Sequence, residues 1–167
     1  MPKLYEKGLE SFRFSTVLFG NLMMFIWLVL GTIAVWFINP LLAGLYLAIA
    51  LILVYIILRK LLCTNCYYYD KWCGLGWGKL TAKMFKKGDI EKFNDSIGIR
   101  LAPMIYGLLT VIPFILIIVS IILVFDYTKI GVFVLLLIVS FYSSGIGRKA
   151  ACSNCKMKTF CKGSVTK

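Results

Sequence analysis

The sequence predicts an all-α integral membrane protein with four transmembrane helices. These form two tandem-repeated helical hairpins, each followed by a cytoplasmic cysteine segment. Three observations carry the prediction. Four long apolar runs contain no charged residue, 18 of the 19 lysines and arginines lie on one side of those runs, and an eight-residue basic and cysteine-containing motif occurs twice.

The runs cover residues 17–37, 41–58, 101–125 and 130–146, which is 21, 18, 25 and 17 residues. A bilayer core about 30 Å thick takes roughly 20 helical residues to cross. Only helices satisfy every backbone polar group inside such a run. At 60% hydrophobic and 16% charged, the composition excludes an ordinary soluble domain and a disordered chain. The first run is too long for a cleavable signal peptide and is followed by a second span. Asn39-Pro40 and Asp126-Tyr127-Thr128-Lys129 are turn formers that close the two hairpins. Pro113 is expected to kink the third span or to be accommodated by a neighbour. Gly20, Gly31, Ala43, Gly44 and Gly107 are expected to admit close helix approach.

Residues 1–13 hold three basic residues, 59–100 hold nine and 148–167 hold six, while Lys129 stands alone on the other side. This bias places both termini and all six cysteines in the cytoplasm of a multi-pass cell-membrane protein. The net charge of +12 is accounted for by topology and by anionic lipid headgroups. No nucleic-acid partner is expected, because the basic segments form no recognised binding fold.

Arg59-Lys60-Leu61-Leu62-Cys63-Thr64-Asn65-Cys66 reappears 89 residues later as Arg148-Lys149-Ala150-Ala151-Cys152-Ser153-Asn154-Cys155. Five of the eight positions are identical, and each copy adds a third cysteine after an aromatic residue, in Trp72-Cys73 and Phe160-Cys161. The chain therefore divides into an N-terminal segment (1–16), a first hairpin with its triad (17–73), a glycine-rich turn with an interfacial helix (74–100), and a second hairpin with its triad (101–167). Two hairpins of like orientation are related by an approximate two-fold axis along the membrane normal. Such an axis brings the triads together if they lie near it, and it leaves a homo-oligomer open.

Cys63, Cys66, Cys73, Cys152, Cys155 and Cys161 are the candidate site residues, as metal ligands. A reducing compartment argues against structural disulfides. Palmitoylation does not require repeated triads, and no βαβ pattern frames a thioredoxin-like dithiol. A C-x2-C pair brings two thiolates to one ion, and a third cysteine returns after a short loop. Arg59, Lys60, Arg148 and Lys149 are expected to offset thiolate charge and lower the cysteine pKa values. The sequence has no histidine, so histidine-ligated haem, mixed histidine–thiolate zinc and histidine-activated nucleophiles are excluded. All-sulfur ligation leaves an iron–sulfur cluster, which is preferred, or zinc. Six thiols leave two four-coordinate sites one ligand short each, a deficit met by shared thiolates, by Asp70 or water, or by an open position.

Cys152, Cys155 and Cys161, spaced C-x2-C-x5-C, resemble part of the auxiliary-cluster domains of radical-SAM enzymes over about a dozen residues. Val165 stands where that pattern has a fourth cysteine. The paired triads also resemble fungal binuclear zinc-cluster domains, in which six thiolates hold two zincs, although here Cys73 and Cys152 are 79 residues apart with a helical hairpin between them. The first resemblance implies an iron–sulfur cluster and the second implies zinc.

Tyr67, Tyr68, Tyr69 and Trp72 read as interfacial anchors before they read as a cluster shield. Gly74, Gly76 and Gly78 follow no strand, so a turn presenting N–H groups to sulfur is a better reading than a nucleotide loop. An amphipathic interfacial helix is expected over 79–87, stopped by Gly88. Leu4, Tyr5, Leu9 and Phe12 are expected to form a second amphipathic segment, interrupted by Gly8. All seven acids lie outside the spans, which disfavours a proton pump. The sequence thus points to a small electron-transfer or redox-responsive membrane module with a redox or membrane-complex partner. A zinc-stabilised scaffold or assembly factor and a soft-metal transporter using the thiols are the alternatives. No catalytic constellation is readable.

Overall fold

The computed structural model describes residues 4–166 as an all-helical protein. Four helices are long and apolar enough to span a membrane: α1 (Phe14–Trp36), α2 (Pro40–Asn65), α4 (Ile97–Leu123) and α5 (Tyr127–Ser153), of 23, 26, 27 and 27 residues. At about 1.5 Å per residue, each exceeds the bilayer core. The described residues contain no strand, and Leu9 and Cys155 form one isolated parallel bridge.

The turns form as their residues dictate. Asn39 caps α2 by accepting from the Leu41 N–H at 2.8 Å, and Pro40 occupies the first helical turn, where its missing N–H costs nothing. Asp126 caps α5 through the Thr128 N–H at 2.9 Å. At this end Lys129 is buried, and its Nζ donates to Ser120 O at 3.0 Å and Val124 O at 2.8 Å. The lone basic residue at the hairpin end thus completes the C-terminus of α4. Helix α4 runs through Pro113, which is fully buried, so a neighbouring surface accommodates it.

Helix α1 is central, packing against α2, α4 and α5. Ala34, Ala43, Ala50 and Val54 are fully enclosed. A Cβ at Gly31 would meet the Tyr46 hydroxyl at 2.7 Å, so this glycine lets Tyr46 pass and donate to Leu109 O on α4 at 2.7 Å. Gly20 similarly abuts Gly74, but Gly44 and Gly107 face open space and do not mediate helix contacts within the chain. Most of α5 is uncovered, with Val134, Leu135, Ile138 and Phe141 exposed. Such apolar faces fit a lipid bilayer.

Both second helices contain a π-helical turn just before the basic motif, at Ile52–Ile57 and Tyr142–Gly147. Beyond these turns, the helices extend past the apolar runs, so Cys63 and Cys152 sit on their last turns.

Two local expectations are corrected. The amphipathic helix α3 covers Trp77–Met84 and ends before Phe85, whose backbone is extended. Gly88 instead packs on the first cysteine segment, its N–H donating to Thr64 O at 3.0 Å. The N-terminal residues 4–13 form no amphipathic helix. They are a strap whose Tyr5 and Leu9 N–H groups donate to Lys156 O and Asn154 O, at 2.8 and 2.9 Å. Gly8 permits this close approach, because a Cβ there would lie 2.7 Å from Lys156 Cα.

Candidate functional site: a cap of two cysteine segments

The two cysteine segments, the strap and the loop around α3 gather at the end of the bundle opposite the hairpin turns. Each cysteine segment folds through the same local hydrogen bonds. Cys66 N–H donates to Cys63 O, Tyr69 N–H to Cys66 O and Lys71 N–H to Tyr68 O, at 3.4, 3.0 and 3.0 Å. Their counterparts run from Cys155 to Cys152, Lys158 to Cys155 and Phe160 to Met157, at 3.2, 3.0 and 3.1 Å. Thr64 Oγ1 and Ser153 Oγ each donate one turn back, to Lys60 O and Lys149 O.

The segments then cross. Tyr67 N–H donates to Met157 Sδ at 3.3 Å, and Lys156 N–H donates to the Tyr68 hydroxyl oxygen at 3.0 Å. These are equivalent interactions 89 residues apart, exchanged between the segments. Tyr68 also donates to Leu9 O at 2.6 Å, locking the strap over the junction. Cys66 Sγ lies 3.3 Å from Met157 Sδ. Tyr68 and Met157 are each only 2% exposed. Tyr68 is therefore the centre of the cap, a correction to its reading as an interfacial anchor: its hydroxyl finds a backbone donor and acceptor inside the protein.

Other side chains tie the cap together. Asn94 donates to Phe160 O at 2.7 Å and accepts from Lys162 N–H at 2.9 Å. Glu10 pairs with Lys156 at 2.7 Å, lies 3.6 Å from Lys71, and accepts a short hydrogen bond from Tyr67. The Lys156 and Tyr67 hydrogen bonds hold its carboxyl at about 2, well below the usual range. Gly76, at φ 72°, turns the chain into α3, and a Cβ at Gly78 would collide with the Tyr68 and Lys71 carbonyls. Glycine is needed at 76 and 78 for this packing.

All six cysteines are unbridged and partly exposed. Among the described residues, no three cysteines or acids converge closely enough to enclose one ion. Within the cap, Cys66 and Cys155 pack against Phe12, Val17 and Tyr68, while Cys63 and Cys73 pack against the bundle core. Exposed Asp70 adopts a left-handed conformation in the intervening turn. Burial pushes the Cys66 thiol well up and the Cys155 thiol up, against the lowering supplied by the Tyr68 and Met157 N–H groups. The expected net lowering by flanking cations is thus overturned at these two thiols, since desolvation disfavours thiolate more than the nearby donors favour it. Beside Cys66 a groove of about 480 Å³ opens between Tyr67, Tyr69, Lys71 and Lys87.

Chemically, the cap offers soft sulfur donors, N–H groups directed at two of them, and a basic rim. Met157 was missed because only cysteines were counted. Its position is the 89-residue counterpart of Tyr68, which is the signal that identifies it. No family model, curated protein or solved structure matches this chain.

Proposed function

We propose that this chain is a membrane protein whose duplicated cysteine segments bind an iron–sulfur cluster and pass single electrons at the cytoplasmic face. The reciprocal crossing of Tyr67–Tyr68 with Lys156–Met157 carries the reading. It supports duplication with an approximate two-fold relation, and it brings both cysteine segments into one cap. The i+2 N–H groups directed at Cys66 and Cys155 suit sulfur-ligated centres, whose potentials respond to hydrogen bonds at sulfur.

The six cysteines are the proposed ligands, and binding requires them to move together, since no three converge among the described residues. A bound cluster supplies one-electron chemistry. The donor is a reduced one-electron carrier and the acceptor an oxidised one, with no covalent bond formed. Lys71 and Lys87 beside the groove favour an anionic partner. The basic asymmetry of the sequence supports cytoplasmic thiols and a multi-pass position in the cell membrane.

Anaerobically purified protein should contain iron and acid-labile sulfide, with both lost in Cys66→Ser and Cys155→Ser. Stoichiometric zinc without sulfide would instead assign a zinc-stabilised scaffold, a reading favoured by the closed crossing of the cap. Absence of iron, sulfide and zinc overturns metal binding altogether. A membrane-impermeant maleimide should label the thiols only after membranes are opened; labelling of intact cells overturns the orientation.

A further inference from the structure

Two cations are buried among the described residues, Lys129 and Arg59, and their surroundings differ. Lys129 donates to two carbonyl oxygens, Ser120 O and Val124 O. Arg59, in the last turns of α2, is 7% exposed. Its guanidinium carbon stands 4.2 Å from the centre of the Trp77 ring, and its Nη2 lies 3.9 Å from Met24 Sδ. A ring face and a thioether are weak acceptors for a guanidinium. Among the described residues, no carboxylate forms an ion pair with Arg59.

Three donors here lack partners: Arg59 Nε, Trp77 Nε1 and Thr81 Oγ1 are all buried without a hydrogen bond. Trp77 and Thr81 stand one turn apart on the buried face of α3, which packs on the turn of α2 that carries Arg59. Trp77 also opens α3, and no side chain caps that terminus, so the positive end of the helix dipole lies at the same residue. A buried water would satisfy the donors but would leave the charge uncompensated. An anion does both. The burial of all three residues favours a small anion that sheds its hydration shell over a bulky phosphate.

We propose that Arg59, Trp77 and Thr81 form a binding site for one small inorganic anion of the halide type. The guanidinium supplies the charge, and the indole N–H and the hydroxyl supply directed hydrogen bonds. The bound ion pins α3 to the last turns of α2 and so fixes the loop that underlies the cap. The site uses no cysteine and no metal, and it stands independently of the proposed cluster.

The test follows the indole N–H resonances of 15N-labelled full-length protein in detergent micelles as chloride replaces gluconate at constant ionic strength. The Trp77 signal, assigned with Trp77→Phe, should move and saturate, while those of Trp27, Trp36 and Trp72 stay in place. The unfolding temperature should rise over the same chloride range. Thr81→Val should need about tenfold more chloride, the loss of one hydrogen bond to a charged group. Arg59→Met should abolish the response, and Lys129→Met should retain it.

A Trp77 signal that ignores chloride and bromide overturns the site. A wild type that ignores halide while Cys63→Ser responds assigns the counter-charge to the Cys63 sulfur and overturns it too. A response to inorganic phosphate without one to halide overturns the choice of a small anion. If Arg59→Met does not fold, Thr81→Val decides, and an unchanged chloride requirement then overturns the proposal.

Discussion

Met157 Sδ stands 3.3 Å from Cys66 Sγ, a contact between residues 91 apart in the chain that joins the two cysteine segments. Met157 is 2% exposed, so truncation leaves a cavity at the junction. Met157→Ala should destabilise the protein by about 2–5 kcal/mol. Met157→Leu keeps the volume and should cost less than about 1.5 kcal/mol. Thermal unfolding in detergent micelles measures both, and equal costs would deny the volume argument.

Tyr68 supplies the reciprocal link, its hydroxyl accepting a hydrogen bond from the Lys156 N–H and donating one to Leu9 O. Tyr68→Phe keeps the ring but leaves both backbone groups without that hydroxyl. The expected loss is about 1–3 kcal/mol. Hydrogen exchange at Lys156 should accelerate, while exchange in α4 stays unchanged.

Glu10 gives the strap a defined pH response. Its carboxyl is held at about 2, against an ordinary 4.5, first by hydrogen bonds from Lys156 and Tyr67. A depressed pKa means that stabilisation is fully present above the ordinary value and is lost as pH falls through the folded one. The strap should therefore stay docked at pH 5 and loosen progressively toward pH 2. Exchange of the Leu9 amide, which donates to Asn154 O, reads this directly. Glu10→Gln should weaken docking at neutral pH and flatten the acid dependence.

At the opposite end, Lys129→Met removes an ammonium that donates to Ser120 O and Val124 O. The loss should be about 1.5–3 kcal/mol, the range for hydrogen bonds to charged groups. Exchange of the Val124 amide should rise, and alkylation of the six cysteines should keep its wild-type rates. A change at the cysteines would show that the two ends of the bundle are coupled.

Much of the architecture was legible before folding. The four apolar runs, the turns at Asn39-Pro40 and at residues 126–129, and the 89-residue spacing of the motif are properties of neighbouring residues. The strap and Tyr68 were misread for one reason. Leu4, Tyr5, Leu9 and Phe12 look amphipathic locally, yet their backbone partners lie near residue 155, beyond any local pattern.

The sequence by itself determined four apolar helices long enough to span a membrane and cysteines beside basic residues, because length, hydropathy and charge are read along one dimension. Only the tertiary structure decided that Met157 and Tyr68 exchange places across the cap. It also decided that Arg59 is buried on Trp77 while Arg148 is exposed. The physical reason is that identical local motifs meet different long-range neighbours, and desolvation and hydrogen bonding depend on those neighbours.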